Sequence, residues 1–294
     1  MRIVSLLPSA TEIVYALGLG DQLCGVTDEC RIPSPVPVAP RIVVRAKQPP
    51  GLTAAEIDRW VAEHAAAGGL YQLDERAVAH IRPELVLTQD LCRVCAVPTG
   101  DVDAALARLA CPSAVVTLEP IRLGEVIDSV QTVADAAGVP ERGAAVTAGL
   151  RQRLDAVRRA VGDRAPVPTL VLEWLDPPYT AGHWVPDVVT AAGGEPLLAA
   201  AGGRSRATDW EEVRRVRPRL LVLAPCGTEP ERTWEQSHLM PADVLRTPAV
   251  AVDLACPAPG LIDAVEALAA ILHPDAGLPR RDDVVMPRPA DLSR

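Results

Sequence analysis

Apolar residues along the chain follow two rhythms. Short continuous runs between breaks read as buried strands: Arg2-Ile3-Val4-Ser5-Leu6-Leu7, Leu85-Val86-Leu87, Thr169-Leu170-Val171-Leu172-Glu173-Trp174 and Leu220-Leu221-Val222. Elsewhere the spacing is helical. Ser9-Ala10-Thr11-Glu12 has the S-x-x-E form of a capping box and precedes Ile13, Val14 and Leu17 before Gly18, so the opening reads strand, tight turn, helix. The longest helical pattern runs from Glu141 to Gly162, with Ala145, Val146, Leu150, Leu154, Val157 and Val161 on one stripe after a Gly138-Val139-Pro140 stop. A helix of that length spans roughly 33 Å, about the diameter of a domain.

The pattern also repeats. Asp74 to Leu87 and Asp209 to Val222 each read as a short helix, an Arg-Pro stop and a buried strand, at a constant offset of 135 residues. The opening strand and Thr169–Trp174 form a looser second pair. Two copies of one plan predict an α/β protein of two lobes of similar topology, each a mainly parallel sheet flanked by helices. The expected layout is an N-terminal lobe over 1–140, a bridging helix over 141–165, a C-terminal lobe over 166–294, and a ligand cleft between the lobes.

Composition narrows the function classes. The chain has 294 residues, 29 Lys+Arg against 38 Asp+Glu, and a formal net charge of −9. Without a Lys/Arg-rich run there is no electrostatic footprint for nucleic acid or an anionic membrane, and no segment is apolar over the roughly 18 residues of a membrane span. No basic, apolar leader precedes the first strand, so the chain as it stands reads as cytoplasmic, or as periplasmic with a leader removed. Nucleotide-binding G-x-x-x-x-G-K-[ST] and G-x-G-x-x-G loops are absent from the sequence, as are H-E-x-x-H and G-x-S-x-G.

Aromatic residues are 3% of the chain, with no Phe, so their placement is informative. Two of five Trp, one of three Tyr and one of five His fall within Glu173–Trp184, directly after a strand. Trp174, Tyr179 and Trp184 offer flat faces for a large planar ligand, and His183 offers a metal ligand or a hydrogen bond. A core cluster beneath a loop is the competing reading. Pro8, Ser9, Glu29, Asp90 and Trp210 stand at other strand ends or helix starts and complete the ligand-binding set. Cys30, Cys92, Cys95 and Cys226 also follow strands, and Cys92 and Cys226 come within one residue of equivalence under the repeat. Four such thiolates would suit a tetrahedral zinc site or an iron–sulfur cluster, and Cys92-x-x-Cys95 alone would suit a redox pair. Unrelated thiols are the remaining reading.

Arg2-Ile3-Val4-Ser5-Leu6-Leu7-Pro8-Ser9-Ala10-Thr11-Glu12, the Arg-Pro-Glu-Leu-Val-Leu strand entry, the duplication and the long helix resemble the helical-backbone class (class III) of ABC-transporter substrate-binding proteins, and within it the vitamin B12 (cobalamin)-binding members. The likeness runs from Arg2 to about Pro274. Thr27–Pro33 keeps Glu29, Cys30 and Pro33 of the relatives' Thr-His-Glu-Cys-Asp-Tyr-Pro stretch, with Asp28 and Ile32 in place of the His and Tyr. The resemblance implies a monomer that captures a cobalamin-like corrinoid or another metal chelate between its lobes and delivers it to an ABC-transporter permease. The alternative is a cytosolic enzyme or cofactor-handling protein on the same scaffold, with zinc or an iron–sulfur cluster on the four cysteines and substrate against Trp174 and Trp184.

Overall fold

The computed structural model describes residues 1–34, 36, 38–64, 70–91 and 97–288. It divides into two compact units, one of Met1–Pro120 with Ile127–Ala148 and one of Ile121–Val126 with Gly149–Arg294.

The first unit is built on a six-stranded sheet. Its elements are β1 (Ile3–Ser5), α1 (Pro8–Ala16), β2 (Leu23–Thr27), β3 (Arg41–Ala46), α2 (Ala54–His64), β4 (Tyr71–Leu73), α3 (Glu75–Ile81), β5 (Leu85–Thr88), α4 (Thr99–Arg108) and β6 (Ala114–Thr117). Strand order is β4-β3-β2-β1-β5-β6, with every pairing parallel except β3 with β4. Ile3, Val4, Leu85, Val86 and Leu87 are buried, as expected of parallel strands covered on both faces.

Two helices follow, α5 (Leu123–Ala136) and α6 (Pro140–Val161). The 22-residue α6 matches the long helical pattern to within a residue at each end, and the division between the units falls inside it, after Ala148. Leu150, Leu154, Val157 and Val161 are buried as their spacing predicts. At the N-terminal end the prediction fails, because Ala145 is exposed and Gly143 and Thr147 take the buried positions. A Cβ on Gly143 would lie 2.5 Å from the Ala134 Cβ, so α5 and α6 approach too closely there for anything larger.

The second unit holds β7 (Val167–Leu175), β8 (Pro178–Thr180), α7 (Val185–Ala191), β9 (Gly194–Pro196), β10 (Arg206–Ala207), α8 (Trp210–Val216), β11 (Leu220–Leu223), α9 (Pro230–Thr233), β12 (Ala249–Val252), α10 (Gly260–Leu272) and β13 (Val285–Pro287). Its sheet runs β10-β8-β7-β11-β12-β13, with β9 added beside the start of β7. The parallel core β9-β7-β11-β12 reproduces β2-β1-β5-β6 of the first unit.

The sequence repeat is a structural one. Helices α3 and α8, and strands β5 and the start of β11, keep the offset of 135. Asp74 accepts a hydrogen bond from the Ala77 N–H at 2.9 Å, and Asp209 from the Glu212 N–H at 2.7 Å, so both short helices carry the same side-chain N-cap. Both end on an arginine in the left-handed region, Arg82 and Arg217, each with φ of 50°. The following proline disfavours helical backbone at the residue before it, so the chain turns out into the strand.

Candidate functional site

In each sheet the chain leaves the first strand to one side and later returns on the other. Open α/β sheets bind ligands outside the carboxyl end of the strand where that reversal occurs. Here those ends are β1 and β7, which carry Pro8 and the Trp174–Trp184 stretch.

At β1 the turn is tighter than the capping-box reading allows. Helix α1 starts at Pro8, with Leu7 as an extended N-cap that has no side-chain capping bond. Proline at the first helical position supplies a helical φ and needs no N–H acceptor, which starts the helix ahead of Ser9. Ser9 is then buried inside the first turn and does not cap it. Ser5 donates to the Leu7 carbonyl at 2.9 Å, and Thr11 donates to the Ser5 Oγ at 2.9 Å. With both hydroxyl hydrogens committed, the contact of 3.0 Å between the Thr11 Oγ1 and Cys30 Sγ requires the thiol to donate. Burial pushes the Cys30 thiol up; Thr11 and the Thr27 backbone oppose the rise, and Glu29 and Asp28 add to it.

Glu29 and Asp90 lie at neighbouring strand ends. Glu29 keeps solvent access, yet loss of hydration at its carboxylate raises its pKa; the Tyr71 hydroxyl, donating at 3.2 and 3.3 Å, works the other way. Asp90 is exposed and accepts the Thr99 N–H at 2.8 Å, at the start of α4.

At β7 the chain does not pass directly into a helix. It folds back as β8, interrupted by an irregularity between Leu172 and Trp174 that leaves Glu173 as the extra residue of a bulge. Trp174, Tyr179 and His183 are each half-buried. The Trp174 Nε1 donates to the Asp176 carbonyl at 3.1 Å, which fixes the indole without covering it. Trp184 differs. It is 8% exposed and its Nε1 donates to the Leu254 carbonyl at 2.9 Å, so it is a packed core residue. The His183 ring stacks on it, centroids 5.7 Å apart. Trp210, the first residue of α8, packs against the core cluster that holds Leu172, Val213 and Leu221.

His183 has a φ of 52°, uncommon for a residue with a side chain. Its N–H donates to the Gly203 carbonyl at 2.6 Å and its carbonyl accepts the Gly202 N–H at 2.9 Å, so the loop before β10 grips the turn. Burial lowers its pKa and the charge of Arg204 lowers it further, which leaves a neutral imidazole at pH 7. Its ring nitrogens carry no hydrogen bond among the described residues. Sequence reasoning missed Glu173, Arg204 and Ser205 here, because nothing in composition or spacing marks a bulge residue or the loop it meets.

Cys92 and Cys95 lie outside the described residues, Cys30 belongs to the first unit, and Cys226 is an exposed residue of the second. Among the described residues no group of three or more His, Cys, Asp or Glu is arranged to hold a metal ion, and no helix is long and apolar enough to cross a membrane.

The model of the "Periplasmic binding protein" family matches residues 3–252. The chain belongs to that family. It is 25% identical over 271 residues to the vitamin B12-binding protein of Vibrio cholerae serotype O1, an alignment that takes in 90% of this chain and 86% of that protein. Among solved structures, a periplasmic haem-binding protein of Pseudomonas aeruginosa superposes with a TM-score of 0.69 at 19% identity, covering 98% of both chains. The haem-binding protein RhuT of Roseiflexus sp. RS-1 gives 0.65 at 22%, covering 94% of this chain and 98% of that one. The family's two-unit α/β fold is the one described above. None of these three relatives carries an enzyme's name, and the enzyme alternative has no support from them.

Proposed function

We propose that this periplasmic binding protein captures a metal-chelate macrocycle, a cobalamin-like corrinoid first and haem second, and hands it on unchanged. The observation that carries the reading is the set of half-buried Trp174, Tyr179 and His183 after the carboxyl end of β7, in a chain with only five Trp and three Tyr. Flat faces around a fixed imidazole suit a large, largely apolar ring with a metal at its centre. Alignment to a vitamin B12-binding protein over 90% of the chain supports the corrinoid as the first choice. Trp184 backs His183 from within the core, and Trp210 of the same unit packs against its core cluster. An ABC-transporter permease in the membrane is the recipient this reading calls for, and an extracytoplasmic location follows from it.

Titration of the protein with cyanocobalamin and, separately, hemin, followed by quenching of tryptophan emission, tests the reading. At least one probe binds with micromolar or tighter affinity, and Trp174→Ala weakens it by at least about tenfold. If neither binds, or the variant binds both as the parent does, the reading is wrong.

A further inference from the structure

Three arginines stand around the loop that grips the His183 turn, and two of them are fully engaged. Arg122 donates to both carboxylate oxygens of Asp187 at 2.7 and 2.9 Å, and a Cβ on Gly202 would lie 3.1 Å from its Cδ, so it packs along this loop. Arg206 donates to both oxygens of Glu212 at 3.0 and 2.8 Å. A guanidinium held fork to fork by a protein carboxylate has its recognition edge occupied. Arg204 is exposed, and among the described residues it makes neither an ion pair nor a side-chain hydrogen bond. Its backbone is nonetheless fixed. Gly203, next to it, accepts the His183 N–H at 2.6 Å, Arg206 pairs with Thr180 across β8 and β10, and a Cβ on Gly182 would lie 2.5 Å from the Arg204 carbonyl carbon. Arg204 is thus rooted against the residue before His183, with the imidazole inside the reach of its side chain, and its charge acts on that ring.

We propose that Arg204 is the anion-pairing residue of the capture site, taking an anionic oxygen group on a side arm of the macrocycle: a haem propionate carboxylate or the phosphodiester of a corrinoid's nucleotide loop. Its planar fork matches either group with two parallel hydrogen bonds. The protein as a whole works against such a ligand, since a net charge of −9 repels anions at long range. A site for an anion must therefore bring its own cation. From Glu173 to Arg206 the chain has four carboxylates, Glu173, Asp176, Asp187 and Glu195, and two arginines. Arg206 is committed to Glu212, so Arg204 is the one cation that this stretch can offer. The inference rests on the capture reading above and adds to it the charge of the ligand.

The test titrates the intact protein with paired probes that differ at the anion: hemin against hemin dimethyl ester, and cyanocobalamin against dicyanocobinamide, which lacks the phosphodiester. In at least one pair the parent is expected to bind the anionic member at least about tenfold tighter, the scale of one charge-assisted contact. Arg204→Ala removes that preference by weakening the anionic member and leaves the other within about twofold. Arg204→Lys keeps the charge without the fork and recovers part of the preference, and Arg204→Glu reverses it. Because the side chain is exposed, these variants are expected to share the parent's urea midpoint. The pair that responds names the source of the anion. A parent that binds both members of each pair alike overturns the proposal, as does an Arg204→Ala protein that keeps the preference or weakens both members equally. If none of the four probes binds the parent, the capture reading itself fails and this one with it.

Discussion

The ends of β1 and β7 occupy the same place in two sheets of matching core topology, yet they are finished differently. After β1 the chain enters a helix within two residues, and the polar groups left behind form a closed run of donors from Cys30 through Thr11 and Ser5 to the Leu7 carbonyl. After β7 it spends nine residues on a hairpin and a strained turn before α7 starts, and it leaves an imidazole without a hydrogen-bond partner among the described residues. The difference teaches that a duplicated scaffold need not duplicate its site. One copy satisfies its polar groups internally, which favours rigidity; the other keeps unsatisfied chemistry at the surface, which is what recognition requires.

The sharpest way to break this comparison is to add one methyl group to each unit. Gly182→Ala drives a Cβ into the Ser205, Arg204 and Gly203 backbone at 2.3, 2.5 and 2.6 Å, where nothing soft can yield. Gly25→Ala in β2 meets only the tips of Val43, Ile81 and Val4 at 3.0 to 3.1 Å. Urea melts are expected to show a loss of about 3 kcal/mol for the first and about 1 kcal/mol for the second. Equal losses would mean that the β7 turn is no more tightly built than the β2 strand.

A smaller contrast concerns the thiols. Cys226 is exposed, whereas Cys30 donates its proton to Thr11 and is pushed up by burial. Alkylation by iodoacetamide at pH 8, read by mass spectrometry, is expected to label Cys226 at least about tenfold faster. Because the native Cys30 pKa lies above its unfolded value, the native state holds this proton more tightly. The resulting contribution to stability falls as pH rises past the unfolded thiol value of about 8.5.

The smallest effect tests the likeness of the units and not their difference. Asp74→Ala and Asp209→Ala each remove one N-cap bond, and each is expected to cost about 1 kcal/mol in the same melt. A twofold disparity would show that the two copies carry unequal loads.

These elements also show what was legible in the sequence. The strands Leu85–Thr88 and Leu220–Leu223 announced themselves as continuous apolar runs, and their shared Asp cap and Arg-Pro exit gave the offset of 135 that revealed the two-unit plan. The long helix was equally plain, because burial of Leu150, Leu154, Val157 and Val161 forces a 3.6-residue period. What stayed hidden was set by backbone geometry. The bulge at Glu173 has the composition of any strand residue. The start of α1 at Pro8 was masked by a capping-box pattern whose serine is buried. Gly143 reads as a helix-weakening residue until its distance to Ala134 is known. Among the candidate site residues, the clustering of aromatics after β7 was visible, but which of them is core and which is half-exposed depended on the Leu254 carbonyl, 70 residues from Trp184.

Ile121–Val126 has a consequence for how the polypeptide can be cut and how it matures. This stretch precedes the last part of the first unit in the chain but belongs to the second, where Arg122 makes a two-pronged ion pair with Asp187 at 2.7 and 2.9 Å and the Leu123 N–H joins the same carboxylate. No single scission therefore yields two intact halves, since a fragment beginning at Gly149 lacks Arg122 and one ending at Pro120 lacks Ile127–Ala148. On the ribosome the first unit is incomplete until Ala148 has emerged, and by then a piece of its successor is already waiting in the nascent chain.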